Sequence, residues 1–229
     1  MSHSDIFLAM EARLRSGELL PGSQILEARL MQEFAVSRTP VRDAILRLHA
    51  LDYLTIYPRK GIFVTRLTVR QVLEQLEVLA HLEGLCAQLA AQRMSQQQRV
   101  RLHELLTTAG QTAHPEQARD YAQANQEFHA LLYEGCCSDY LVRQILQIRT
   151  RTAAYRLKRF ESAAGLARSL AEHTQLAAAV TAGEEARAYQ AAVAHISMGG
   201  AEYAELVRQV PEELFAASSP HPGPARDAL

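Results

Sequence analysis

The chain has 229 residues, 48% of them apolar, which is enough for one large domain or two small ones with a substantial core. Only 11 Gly and 8 Pro stand beside long stretches of Leu, Ala, Gln, Glu and Arg, a composition that favours helices and excludes global disorder. A net charge of −1 excludes a chain that binds polyanions over its whole surface. No apolar run approaches the ~20 residues of a membrane span, and the opening MSHSDIF lacks the pattern of a signal peptide, so we expect a cytoplasmic protein with no membrane partner.

Residues 1–67 are predicted to form a domain of three short helices and a hairpin. Apolar residues recur at helical spacing in 5–17 and again in 27–34, with a Pro-Gly turn between them. A third amphipathic helix begins in the stretch VSRTPVRDAILRL. Two runs of β-branched and aromatic residues, 53–57 and 62–65, then flank a turn that reads PRKG. This order of elements predicts a winged helix-turn-helix.

The third helix, which Ser37 or Thr39 can cap, has an apolar side and a second side that is mainly cationic. A helix that reads DNA needs side chains that reach base edges and neighbours that contact phosphates. Arg38 and Arg42 lie one turn apart near the start of the helix, where either can pair with guanine. The residues that this pattern predicts at DNA are Arg38, Thr39, Arg42 and Leu46 on the helix and Arg59, Lys60 and Gly61 on the wing.

Two observations leave an alternative open for this surface. The charges can form a solvated helix face, with Arg42 and Arg47 in ion pairs beside Asp43. Leu46 cannot bind phosphate, so it either packs on a thymine methyl group or is partly buried. Residues 1–66 carry nine Lys/Arg against seven Asp/Glu, a small excess that favours DNA only weakly.

From Thr68 onward the sequence is helical, which predicts an antiparallel bundle of six helices over 68–209 and a mainly α fold class. The segment 210–229 is rich in small residues and Pro and is predicted to be a disordered tail. The odd number of cysteines and the absence of a CxxC motif predict reduced thiols at Cys86, Cys136 and Cys137. The predicted helices span 68–93, 95–111, 115–134, 139–160, 166–182 and 184–208.

Several histidines of the helical part can meet inside such a bundle. Asn125 and His129 lie one turn apart on one predicted helix, and His173 and His195 lie on two others. Neutral imidazole is a good ligand for Zn, Ni, Fe or Mn, and an Asn carbonyl is a weak fourth ligand. Buried histidines without a metal are common, so the spacing alone supports either interpretation.

Residues 19–65 closely resemble the DNA-binding domain of GntR-family bacterial transcription regulators, on the stretch PGSQILEARLMQEFAVSRTPVRDAILRL followed by YPRKGIFV. The resemblance implies that Arg38, Arg42 and Arg47 lie near DNA and that Gly61 is the glycine of the wing. The sequence departs from the family at Leu46, where a polar or basic residue is usual, and at Asp52-Tyr53, where a glycine is usual.

The helical part resembles the FCD effector-binding domain of the FadR subgroup, on the NxxxH, EH and HI elements and on LEVLAHLEGLCAQLAA. The resemblance implies a small-molecule carboxylate effector and a divalent metal, Zn, Ni, Fe or Mn, held by Asn125, His129, His173 and His195. Leu79 stands where the family has a pocket arginine. The helix predicted at 139–160 carries five arginines, from which, with a histidine of the first helix of the domain, we take the predicted effector-binding residues to be Arg151, Arg156 and His81.

The resemblance implies a homodimeric, ligand-responsive repressor that binds a palindromic operator in double-stranded DNA. Dimerisation also follows from physics, because one small domain with so little excess charge offers few phosphate contacts. A constitutive DNA-binding protein with a non-responsive effector domain is a first alternative, compatible with Leu79 and Asn125. A helical metalloenzyme is a second, but the ExxH signature of di-metal bundles is absent, and Glu127 and Glu172 are expected to point away from their ligand neighbours.

Overall fold

The computed structural model describes residues 3–160, 162–197 and 210–217. One apolar core lies before residue 65, and a larger core with a small separate cluster beside it lies after residue 65, which divides these residues into two domains. The N-terminal domain is the predicted winged helix-turn-helix, and the whole fold is mainly α, as expected. Its elements are α1 (His3–Ser16), β1 (Gln24–Ile25), α2 (Glu27–Phe34), α3 (Arg38–Ala50), β2 (Leu54–Tyr57) and β3 (Gly61–Val64).

Helix α3 is held by the apolar side that its spacing predicts. Val41, Ala44 and Leu48 are fully buried, and α3 packs on α1, whose Ile6 is buried in the same core. Ser37 takes the N-cap position with an extended backbone, although its hydroxyl makes no capping hydrogen bond. The opposite side of α3 is therefore free to carry polar residues, because the core needs only one face of the helix.

The wing is a sheet of three strands in the order β1-β3-β2, whereas the sequence predicts only two. Gln24 and Ile25 pair antiparallel with β3, and Gly22 lies just before them with a φ of 85°. A strand of two residues is too short to produce an alternating pattern, so it reads as part of the Pro-Gly turn. Gly61 opens β3 with a φ of 123°, in the region that favours glycine.

Between Val69 and Ile196, the described residues of the C-terminal domain form a bundle of six α-helices in which α4 contacts α6, α7, α8 and α9. Capping boxes start α4 at Thr68 and α5 at Ser95. Gly84 allows the close approach of α4 and α9, since a Cβ there would lie 2.8 Å from Val193 and 2.9 Å from Tyr189. The helices are α4 (Val69–Arg93), α5 (Gln96–Gln111), α6 (Ala118–Cys136), α7 (Asp139–Thr152), α8 (Ala163–Ala182) and α9 (Glu185–Ile196).

Two of the predicted helices are shorter than expected. The one predicted over 139–160 ends as an α-helix at Thr152 and continues as a 3-10 helix over Ala153–Phe160. The one predicted over 184–208 ends at Ile196, because Ser197 is extended, and residues 198–209 lie outside the described residues. Among the described helices, none combines the length and the apolar character needed to cross a membrane.

Residues 210–217 differ from the disorder predicted for them. Val210 is buried in the C-terminal core, and a 3-10 turn follows at Glu212–Leu214. Leu214 and Phe215 pack against the same core, which the small and Pro-rich composition of the segment concealed. The rest of the predicted tail, 218–229, lies outside the described residues. Cys86 and Cys136 are buried and Cys137 is exposed, each as a free thiol.

Candidate DNA-binding face and metal centre

Arg38 and Arg42 point out from the start of α3, and one carboxylate lies beside both of them. The Nε atom of Arg38 donates to Oε2 of Glu27 at 2.9 Å, and its Nη2 atom lies 2.7 Å from the same oxygen. The Nε atom of Arg42 is 3.9 Å from Oε1 of Glu27. Glu27 is the first residue of α2, where the partial positive charge of the helix end favours a carboxylate. The sequence analysis did not single out Glu27, because its proximity to α3 depends on the packing of two helices.

The remaining predicted residues of α3 have different surroundings. Leu46 has 53% of its surface exposed, so it lies on the outer face of α3 and is neither buried nor fully exposed, and both alternatives stay open. The guanidinium of Arg47 lies 4.3 Å from the ring centroid of Phe7 on α1, a cation–π contact that holds it against the domain. Arg42 has an ion-pair partner in Glu27, whereas the solvated-face interpretation placed it beside Asp43.

The wing presents its cations at the turn between β2 and β3. Arg59 and Lys60 are exposed there, and Arg59 has a left-handed φ of 62°. Thr39, on the first turn of α3, is also exposed. The predicted DNA contacts are thus on the outside of the domain, as contact with DNA requires, and each stays a prediction.

Three buried histidines from three helices meet in the C-terminal domain, as the sequence predicts. His129 on α6, His173 on α8 and His195 on α9 each place a ring nitrogen within 4.8 Å of the others. The Nε2 atoms of His173 and His195 are 3.1 Å apart. Convergence of imidazoles at this spacing is the donor arrangement of a zinc-type site.

A carboxylate orients His195 from the outside of this histidine cluster (His129, His173 and His195). The Nδ1 atom of His195 lies 2.7 Å from Oε2 of Glu172. A carboxylate only accepts, so Nδ1 carries the proton and Nε2 presents a lone pair to the cluster. Glu172 was expected to point away from its neighbour His173; its carboxylate contacts His195 on α9, another of the predicted ligands.

A buried ion pair adjoins the cluster on its other side. Arg149 on α7 donates from Nε to Oε1 of Glu83 at 2.5 Å, and the Tyr133 hydroxyl donates to the same oxygen at 2.7 Å. The Nη2 atom of Arg149 lies 3.1 Å from Nδ1 and 3.4 Å from Nε2 of His129. Burial acts to lower the pKa of Arg149, but the Glu83 carboxylate outweighs it and the pKa is raised, so the guanidinium stays charged. For the Tyr133 hydroxyl, burial raises the pKa, so the group stays neutral and can donate a hydrogen bond.

The structure does not bring two of the predicted effector residues to the cluster. Arg151 lies two residues from Arg149, about 200° around the helix, and its Nη1 atom is 3.6 Å from Asp52 of the N-terminal domain. His81 is likewise two residues from Glu83, so it is exposed on the outer side of α4, with Nδ1 2.8 Å from the Tyr189 hydroxyl.

The roles predicted for Arg156, as an effector-binding residue, and for Asn125, as a metal ligand, stay predictions. Arg156 is partly buried in the 3-10 helix Ala153–Phe160. Asn125 is half-buried one turn before His129 on α6. Leu79, in the place of the expected pocket arginine, is fully buried one turn before Glu83. The arginine that does reach the cluster is Arg149, which the sequence pattern could not distinguish from the other arginines near it.

Family comparisons agree with the two domains. Residues 74–198 match the FCD domain, and residues 3–64 match the gntR family of bacterial regulatory proteins. The chain belongs to the FCD-type GntR regulators. As a GntR regulator of this type it is a DNA-binding transcription regulator and not an enzyme, so the metalloenzyme alternative is set aside.

The curated relatives are themselves regulators. This GntR regulator is 26% identical to the Nta operon transcriptional regulator of Aminobacter aminovorans, over 90% of this chain and 96% of that protein. It is 27% identical to the HTH-type transcriptional regulator McbR of Escherichia coli, over 66% of this chain and 70% of McbR.

The solved structures support the fold of this GntR regulator. The structure of E. coli McbR/YncC superposes with a TM-score of 0.77 at 23% identity, over 90% of this chain and 97% of that one. A GntR regulator from Rhodococcus sp. RHA1 superposes with a TM-score of 0.69 at 17% identity, over 90% of this chain and 98% of the other. At such identities the likeness concerns the fold alone.

Proposed function

We propose that the protein is a repressor whose operator affinity changes when a small carboxylate binds beside a metal ion in the C-terminal domain. The observation that carries the proposal is the contact between Arg149 and the histidine cluster. Arg149 is paired with Glu83, and its Nη2 atom also reaches His129, one of the three convergent imidazoles, where a cation is suited to an anion.

The histidines fit a divalent metal by the chemistry of their donors. Tetrahedral coordination with Zn–N bonds of about 2.0–2.1 Å separates ligand nitrogens by roughly 3.3 Å. The Nε2 atoms of His173 and His195 are 3.1 Å apart, and Glu172 fixes the proton of His195 on the far nitrogen. His129, His173 and His195 would hold the ion, with Asn125 as the proposed fourth ligand. A bound ion would offer its open positions to carboxylate oxygens.

Arg149 supports an anionic effector in preference to a neutral one. Its guanidinium lies within 3.4 Å of both ring nitrogens of His129, where it would repel a bare cation held by that ring. A carboxylate between Arg149 and the ion would offset part of both charges and accept hydrogen bonds from the guanidinium. Arg149 therefore takes the role proposed from the sequence for Arg151 and His81.

The protein is proposed to act as a cytoplasmic homodimer on a palindromic operator. Val78, His81 and Leu85 lie along one side of α4 at the spacing of successive turns, and Val78 and Leu85 expose 52% and 41% of their surfaces. A second copy of the chain is the proposed partner, because two DNA-binding domains are needed for two half-sites. The proposed contacts to DNA are Arg38, Thr39, Arg42, Leu46, Arg47, Arg59, Lys60 and Gly61.

A selection of bound duplexes from a random pool, with Zn and with or without a panel of small carboxylic acids, tests the proposal. We expect one class of acids to weaken recovery of the selected operator. Metal analysis of the purified protein should find a divalent ion, and thermal unfolding should shift upward on adding Zn to chelator-treated protein. At 100 times the dissociation constant, binding stabilises by about 2.7 kcal/mol, or roughly 5–10 °C for a domain of this size.

A matched variant distinguishes a metal effect from general stabilisation. His173→Ala should bind DNA but lose the Zn shift, whereas His103→Ala, a change in an exposed histidine of α5, should keep it. If no acid changes the DNA recovered and no metal binds, the constitutive alternative replaces this proposal.

A further inference from the structure

The linker between the two domains is held by the far end of the chain. Leu67, which lies between β3 and α4, is buried. Its N–H group donates to the hydroxyl of Tyr155 at 2.9 Å, and its carbonyl accepts from the N–H group of Ala216 at 2.9 Å. The Tyr155 hydroxyl in turn donates to the carbonyl of Leu214 at 3.1 Å. Both main-chain polar groups of the linker residue are therefore satisfied from the C-terminal side.

The segment that provides these contacts is itself anchored. The ring of Phe215 stacks on that of Tyr155 with centroids 5.2 Å apart and an interplanar angle of 26°. Val210 is buried in the bundle core, and Leu214 packs against it. Tyr155 is 2% exposed, and burial raises the pKa of its hydroxyl, which thus remains protonated and able to donate.

The domains also meet directly, where α1 packs on α7 and on the 3-10 helix Ala153–Phe160, but the ion pair across this junction is weak. Arg151 pairs with Asp52 at 3.6 Å, but the Asp52 side chain is 68% exposed, and such surface pairs contribute little. A small open pocket lies beside this pair, lined by residues of both domains and of the linker. The Nε atom of Arg151 is buried at this junction without a hydrogen-bond partner. The linker residue Leu67, by contrast, has both of its main-chain polar groups paired.

The residues that form these contacts with the linker lie partly outside the two matched family domains. The gntR match ends at residue 64, and the FCD match runs from 74 to 198, so Leu67 and residues 210–217 lie outside both. We propose that residues 211–216, the C-terminal strap, and Tyr155 position the DNA-binding domain by fixing the linker at Leu67. Tyr155 follows α7, the helix that carries Arg149, so the strap fastens the linker to the same part of the bundle that meets the histidine cluster.

Trypsin cleavage of the full-length protein tests the proposal directly. Arg66 is exposed and precedes Leu67, so cleavage of the Arg66–Leu67 bond requires the linker backbone to leave its hydrogen bonds. Tyr155→Phe keeps the stacked ring and removes the hydroxyl. We expect cleavage at this bond to become about fivefold faster, the factor that one net hydrogen bond implies. Truncation after Val210, which removes the strap, should accelerate it about tenfold or more.

Matched controls separate the strap from general stability. Tyr189→Phe removes a hydroxyl elsewhere on the bundle, and truncation after Ala217 keeps the strap, so both should leave the Arg66–Leu67 rate unchanged. Unchanged cleavage in both Tyr155→Phe and the truncation after Val210 overturns the proposal. So does a rise at all arginine and lysine sites together in Tyr155→Phe, which would mean that the hydroxyl serves bundle stability alone.

A second measurement concerns DNA and rests on the proposed homodimer. A free linker should let each DNA-binding domain take several positions, so duplexes selected by the truncated protein should accept a wider range of half-site spacings. Wild-type spacing preference in the truncated protein, together with faster cleavage, would show that the strap fixes the linker without positioning the domain. That result would contradict this part of the proposal while leaving DNA binding intact.

Discussion

A single carboxylate, that of Glu27, holds the arginine that is expected to read bases. The ion pair between Glu27 and Arg38 removes freedom from a long side chain before DNA arrives, which lowers the entropic cost of a bidentate contact. It also reduces the positive charge of this face. Positioning of Arg38 should favour binding to the operator, whereas the reduced charge should weaken binding to any duplex. The two effects can therefore be measured separately.

Glu27→Gln should therefore lower the preference for the selected operator over scrambled duplex about tenfold, while affinity for scrambled duplex rises slightly. Dissociation constants at several salt concentrations measure both. Glu33→Gln is the matched control, because Glu33 pairs with Arg13 on α1 and should leave the preference unchanged. An equal gain in affinity for both duplexes would mean that Glu27 acts by charge alone.

Glu172 is a second residue that acts through a neighbour. Glu172→Gln weakens the acceptor that orients His195, and we expect the affinity for Zn to fall about 10–100-fold. Competition with a chelating dye measures it. The side chain of Glu172 is 26% exposed, so the folded state should tolerate the change. Unaltered Zn affinity would remove Glu172 from the proposed site.

Arg149 should be required for the response to a carboxylate effector. Replacing it alone leaves Glu83 buried without its partner, at a cost of about 3–5 kcal/mol. The double variant Glu83→Gln, Arg149→Met avoids this, and we expect it to bind Zn and DNA but to lose the response to carboxylic acids. Arg151→Met is the control and should respond as wild type does. The reverse outcome would restore the role that the sequence suggested for Arg151.

At the scale of elements, the approach of α4 and α9 depends on one missing side chain. Gly84→Ala places a methyl group 2.8–2.9 Å from Val193 and Tyr189, so we expect a loss of about 1–3 kcal/mol in the free energy of unfolding. Gly110→Ala, on α5, meets nothing closer than 3.9 Å and should be neutral or stabilising by up to ~1 kcal/mol. Urea denaturation measures both. Equal stability of the two variants would mean that the helices separate easily.

The elements that could be predicted from the sequence are those with a periodic pattern of residues. Sequence reasoning predicted α3, because Val41, Ala44 and Leu48 alternate with cations at helical spacing, and it predicted three histidines on three helices. It missed β1, whose two residues are too few for a pattern. It also selected Arg151 where the structure brings Arg149 to the cluster. Which of two arginines two residues apart faces the cluster depends on how the helix is rotated about its axis, and the composition of the helix does not reveal this rotation.

Contacts between distant elements could not be predicted from the sequence, because they depend on how the helices pack. Glu27 and Glu172 each contact a residue of a neighbouring helix, and nothing in their own stretch of sequence announces that partner. The strap was predicted to be disordered from its composition, although a few apolar residues suffice to anchor it on an existing core.

At the scale of the whole molecule, the proposed homodimer would pair the two DNA-binding domains on one operator. Leu85→Glu places a charge in the exposed apolar line of α4, so we expect sedimentation to show monomers and operator affinity to fall at least about tenfold. Val100→Glu, on α5, changes a valine that is 50% exposed and should leave the dimer intact. A stable dimer of Leu85→Glu would place the interface elsewhere.

The hydrogen bond between Ala216 and Leu67 also has a consequence for biosynthesis. A ribosome releases the N-terminal domain first, and it can fold as a unit while the rest is being made. The group that binds the Leu67 carbonyl is translated roughly 150 residues later, about 7–30 s afterwards at ordinary elongation rates. A nascent chain should therefore hold a finished DNA-binding domain that is not yet fixed to its partner domain, and it acquires its final geometry only after residue 216 has been made.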